Sequence, residues 1–140
     1  MKRIMIFFLL IVAINSNAQT KDETAIVNML KKQEAAWNNG NLNKFMIGYW
    51  ENDSLMFIGK KGLTYGYDAT LNNYKKSYPD TSYMGKFTST IISLKKLSKS
   101  YYFVVGKWFL QRSVGNIEGH YTLLIKKIKK QWVIVADHSS

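Results

Sequence analysis

Apolar positions recur along this chain with two different periods, and the change of period divides it. Ile26, Leu30, Gln33 and Trp37, with Met29 and Ala36 beside them, follow helical spacing. Lys31, Lys32 and Glu34 fall on the other side. Thr20 with Glu23 three residues later forms a capping box, and Asn38-Asn39-Gly40 supplies a stop. Asn41 is placed to cap a second helix through Leu42, Phe45, Met46 and Tyr49-Trp50. Leu55 to Ile58 and Leu63 to Tyr67 read as short strands about a Gly59-Lys60-Lys61-Gly62 turn. A third helix is expected from Asp68 as cap through Leu71, Tyr74 and Tyr78, halted by Pro79.

From Met84 the pattern becomes that of strands, through Phe87, Ile91, Ile92, Leu94 and Leu97. The stretch YYFVVGKWFLQRSVGNIEGHYTLLIKKIKKQWVIVADH, Tyr101 to His138, then reads as a meander of three β-branched and aromatic runs. Ser113-Val114-Gly115-Asn116 and Lys129-Lys130 are the expected hairpin connections; the second lacks Asn-Gly chemistry, which leaves its turn type open. Helices followed by four long antiparallel strands give an α+β domain.

Composition adds bounds. With 46% hydrophobic residues in 140, the chain has one core and is not disordered. The absence of cysteine removes disulfides, thiolate metal sites and a thiol nucleophile. Residues 1–18 have the layout of a signal peptide: Lys2-Arg3, an uncharged run from Ile4 to Ile14, and Ser16-Asn17-Ala18 before the cut. That run is short of the roughly 20 residues a membrane span needs. The expectation is a single domain, 19–140, in the periplasm or secreted, with no membrane span after cleavage.

Net charge is +11, or +9 once Lys2 and Arg3 are removed. Two readings are open, an acidic partner or a solvated basic surface. The lysines come as six scattered pairs with no recognition motif, so no nucleic acid is expected. No Gly-x-Ser-x-Gly elbow, phosphate-binding loop or dinucleotide fingerprint occurs, and no cofactor is expected.

Ala36-Trp37-Asn38-Asn39-Gly40-Asn41-Leu42 resembles the helix-corner motif of the nuclear transport factor 2 superfamily, with Asn41 in the place of its acidic residue. Val105-Gly106-Lys107-Trp108, Gly119-His120-Tyr121-Thr122-Leu123 and the ending Gln131-Trp132-Val133-Ile134-Val135-Ala136-Asp137-His138-Ser139-Ser140 resemble its SnoaL-like branch of unknown function. The resemblance implies a cone-shaped fold, N-terminal helices packed on a curved antiparallel sheet, with a pocket between them. It also implies a homodimer formed through the sheet. It implies no single activity, because the superfamily holds isomerases, cyclases, dehydratases and non-catalytic binders. Counted without gaps from Gly40, the carboxylate base of its ketosteroid isomerases falls on Phe57 and their oxyanion tyrosine on Gln33, which disfavours that mechanism.

The candidate chemistry is sparse. His120, Asp137 and His138 are the groups available for proton transfer; their other reading is hydrogen bonding that ties down the chain end. Strict alternation puts His138 on the face of Trp132, Ile134 and Ala136, and Asp137 on that of Val133 and Val135. The spacing of these three matches no metal motif, and no metal site is expected. Arg112 is placed either to clamp a ligand carboxylate or to pair with Glu118 beside the hairpin. Four Trp, nine Tyr and seven Phe exceed the needs of so small a core, and Trp37, Tyr49, Trp50, Phe57, Tyr74 and Trp108 are the expected lining of an aromatic pocket.

Three functions are therefore expected in this order. The first is an exported domain binding a small apolar or carboxylate-bearing molecule. The second is a SnoaL-like enzyme using His120, Asp137 or His138. The third is a dimeric interaction module with a basic surface.

Overall fold

A computed structural model describes residues 19–140; the segment read as a signal peptide lies outside the described residues. Helix α1, Lys21–Asn38, opens on the expected reciprocal cap, the Thr20 side chain accepting from the Glu23 amide and Glu23 from the Thr20 amide. Gly40, with φ of 68°, turns the chain into α2, Leu42–Met46, which is shorter than the periodicity suggests. Its continuation is diverted because Tyr49 joins the sheet through a parallel bridge to Ile134.

The short strands β1, Met56–Gly59, and β2, Gly62–Tyr65, form the expected hairpin. Helix α3, Tyr67–Ser77, starts from Gly66 and not from Asp68, which lies in its first turn. Asp80 then caps a single helical turn, α4, Thr81–Met84, that the strand-like pattern around Met84 conceals. The long strands follow: β3, Lys86–Lys96; β4, Tyr101–Gln111; β5, Ile117–Ile128; and β6, Gln131–Ser139.

The six strands lie in the order β2-β1-β6-β5-β4-β3. The four long ones are antiparallel, but β1 runs parallel to β6, so the curved sheet is mixed. Extra residues at Ile92 and Val135 interrupt the registers of β3 and β6; such bulges bend a strand. α1 covers the β3 edge: Asn38 exchanges hydrogen bonds with the Phe87 backbone at 2.7 and 3.0 Å, and Glu34 accepts from the Ser89 amide at 2.8 Å. These side chains satisfy backbone groups that an open edge would leave free. The core lies between the helices and the concave face, built on Ile26, Leu30, Trp37, Phe45, Tyr102, Val104, Leu123, Ile125 and Ile134.

Candidate functional site

Between the helical corner and the concave face lies a cavity of about 770 Å³. Trp37 closes one side. Its ring meets Phe45, Tyr74, Tyr78 and Phe87 at centroid distances of 4.8 to 5.9 Å, and its indole N–H donates to the Met84 carbonyl at 3.0 Å. Phe57 from β1, Tyr74 from α3 and Tyr49 from the bridge after α2 continue the aromatic wall, and Trp108, Leu110, Tyr121 and Leu123 form the sheet wall. Tyr121 lies directly over Gly106, where a β-carbon would collide with its ring, and its hydroxyl meets the Ser89 hydroxyl at 2.9 Å. Lys60 and Lys61, both exposed on the β1–β2 turn, belong to the rim, so the hollow reaches solvent beside two cations.

One buried carboxylate enters this wall; the other carboxylate of the lining, Glu118, is exposed. Asp137 is 4% exposed and accepts from the Tyr49 hydroxyl at 2.7 Å and the Ser139 hydroxyl at 2.9 Å. Desolvation pushes its carboxyl up to about 6, against those two hydrogen bonds and the nearby His138, which favour the charged form. Tyr49 also lies 3.2 Å from the Tyr74 hydroxyl. A phenol has one proton, and that of Tyr49 is directed at Asp137, so Tyr74 is the donor of the second bond. Burial is the main cause that raises both phenols well above their ordinary value, so both remain protonated donors. The result is a chain of oriented hydroxyls, Tyr74 to Tyr49 to Asp137, in a mostly apolar wall. It can hold a proton, release it near neutral pH, or bind a polar group of a ligand.

Asp137 faces inward because of the bulge. Leu124 pairs with Ala136 but Ile125 pairs with Ile134, so Val135 is an extra residue on β6. The bulge reverses the parity, and Asp137 joins Trp132 and Ile134 on the concave side while His138 is exposed. The alternation expected from sequence is corrected accordingly. His120 is also exposed and does not line the cavity. The three groups grouped for proton transfer thus do not converge; Asp137 alone enters.

Of the expected lining, Trp37, Tyr49, Phe57, Tyr74 and Trp108 are in the wall, whereas Trp50 and Arg112 are not. Trp50 is half-buried, and its amide bonds to the Ile134 carbonyl at 2.9 Å. The Arg112 guanidinium is held at the hairpin loop by the Gly115 carbonyl at 2.6 Å and the Tyr83 carbonyl at 3.4 Å. Glu118 pairs with Lys107 at 3.1 Å instead of with Arg112. Ser139, Tyr121 and Ser89 were not singled out from sequence. For Tyr121 the signal was present, since it shares parity with Leu123 and Ile125; Ser139 is brought in by the same bulge as Asp137. Phe57 pairs in register with Asp137, so the carboxylate of this site comes from the strand beside the position counted for an isomerase base.

No protein-family model matches the sequence, and no curated protein does. Among solved structures, an NTF-2-like protein of unknown function from Shewanella oneidensis MR-1 is 46% identical, with a TM-score of 0.80 over 84% of this chain and 97% of that one. This chain belongs to the nuclear transport factor 2-like family. Two more distant structures share the fold. One is a domain of unknown function with a cystatin-like fold from Nostoc punctiforme, at 13% identity and TM-score 0.73 over 88% of this chain and 78% of that one. The other is a ketosteroid isomerase-like protein from Erwinia carotovora atroseptica, at 14% and 0.67 over 86% and 96%.

Proposed function

We propose that this protein is an exported domain that binds a small, largely apolar molecule in the cone cavity. The observation that carries the reading is a single buried, hydrogen-bonded carboxylate, Asp137, set in an aromatic wall around about 770 Å³. Binding pockets combine a mostly apolar lining with a few placed polar groups, at volumes of about 300–1,000 Å³. A hydroxyl or carbonyl of the ligand would meet the Tyr74–Tyr49–Asp137 chain. A ligand carboxylate would meet Lys60 and Lys61 at the rim, and not Arg112, which lies outside the lining. Among the described residues the buried Trp108 indole N–H has no acceptor, and a ligand acceptor would relieve the cost of that. The sequence of residues 1–18 supports export to the periplasm or medium. The family fold supports a homodimer formed through the sheet.

The test combines native mass spectrometry of protein purified from its own host with titration of tryptophan fluorescence by decanoate. The reading predicts a retained small molecule, saturable quenching, and weaker decanoate binding in Lys60→Glu/Lys61→Glu. Absence of both a retained mass and saturable quenching would contradict it.

A second reading, proton-transfer catalysis, is favoured by one observation: the Asp137 carboxyl is pushed up to about 6, where a group exchanges protons readily near neutral pH. In this reading Asp137 is the acid or base, with Tyr49 and Tyr74 as donors. Deuterium exchange into a bound carbonyl compound, lost in Asp137→Asn and kept in His120→Ala and His138→Ala, would establish it.

A further inference from the structure

We propose that the hairpin end of the sheet is a docking face for an anionic membrane surface. The lysine pairs that are scattered in sequence are gathered by the topology. The end of β3 contributes Lys95 and Lys96, and the β3–β4 connection Lys99. The β5–β6 hairpin leaves the same end, since Tyr101 pairs with Lys126 and the Lys127 amide bonds to the Ser100 carbonyl. It adds Lys126, Lys127, Lys129 and Lys130. The start of α1 is fastened there too: Asp22 accepts from Lys127 at 3.0 Å and from the Trp132 indole at 3.1 Å, which places Lys21 alongside.

These three segments hold eight lysines against Asp22 and Glu23, a net +6 out of the +9 carried by residues 19–140. Among the described residues, only Lys127 of the eight has an acidic partner. Leu97, 53% exposed, stands between Lys96 and Lys99 as an apolar side chain free to enter an interface. Uncompensated charge of this density attracts an anionic surface.

A membrane is favoured over a soluble polyanion by Leu97, an exposed apolar side chain among the cations that a bilayer interface would take up and a soluble polyanion would not. Thr20 caps α1 at this same end. If cleavage follows Ala18, the new α-amino group adds a further cation to the same face.

Residues 19–140 are the form to test, because the 46%-identical relative matches this chain over 97% of its own length with 84% of this one, so a chain of that extent folds as a unit. Co-sedimentation is measured with vesicles of equal parts phosphatidylglycerol and phosphatidylcholine, and with phosphatidylcholine alone. Binding is expected to the first only, and to disappear at high salt. Lys99→Glu/Lys129→Glu/Lys130→Glu is expected to weaken it by about tenfold or more. Lys31→Glu/Lys32→Glu/Lys76→Glu, an equal charge change at exposed positions elsewhere, is expected to weaken it by less than about threefold. Circular dichroism melts verify that each variant is folded. Equal losses in both variants would overturn the proposal, reducing the effect to net charge. So would patch-dependent binding to soluble heparin without binding to the anionic vesicles.

Discussion

The two faces of the β5–β6 ribbon are built from alternate residues of one stretch of chain, yet their chemistry is opposite. The inner face carries Tyr121, Leu123, Ile125, Trp132, Ile134 and Asp137, all buried. The outer face carries His120, Thr122, Leu124 and His138, with both histidines exposed. The comparison teaches that residue type alone is a poor guide to function here. The histidines, which look most chemical, face away from the cavity. The aspartate beside one of them is enclosed, and burial changes what it can do.

Breaking the inner side should have the largest effect. Trp37→Ala removes a buried ring with four aromatic neighbours and a hydrogen bond to Met84, and is expected to cost about 3–5 kcal/mol in urea unfolding.

Asp137→Asn tests the enclosed acid next. The folded carboxyl is raised from its ordinary 3.8 to about 6, so between these values the native state holds a proton that the unfolded state has lost. The contribution of Asp137 to stability is therefore highest below about pH 4, falls as pH rises to about 6, and is level above, with a total change of about 3 kcal/mol. Asp137→Asn, which cannot ionise, should lack this fall. Urea unfolding of both proteins at pH 4 and 7 gives the difference.

A smaller effect tests the hairpin beyond the cavity. Lys129 and Lys130 have φ of 47° and 66°, the left-handed pair of a type I′ turn, held by residues that disfavour it. Lys129→Asn/Lys130→Gly should raise stability by about 1 kcal/mol in the same assay. Smallest of all, His120→Ala and His138→Ala should each stay within about 0.5 kcal/mol of the parent, and leave ligand binding intact. A loss of binding in either would erase the contrast between the faces.

Much of the scaffold was legible locally. The Thr20–Glu23 cap, the Gly40 corner, the β1–β2 turn and the strand meander are all written in short-range patterns. The aromatic lining was legible as an excess of rings placed at inward-facing spacings. What stayed hidden is non-local. The parallel pairing of β1 with β6 joins segments about eighty residues apart, and no local pattern announces it. The bulge at Val135 is equally silent, because Val133, Val135 and Ala136 suit either face, and one extra residue reverses every later side chain. Strict alternation therefore puts Asp137 on the face opposite to the one it occupies. The lysine pairs show the same limit, since only the hairpin topology reveals that three of the six share one end.

The central claim, that Asp137 is an enclosed acid poised within the cavity, is tested most directly by a carbon-detected NMR titration of its carboxyl carbon in the folded protein. The account predicts a midpoint near 6 that does not move in His138→Ala by more than a few tenths. A midpoint at the ordinary carboxylate value of 3.8 would contradict it.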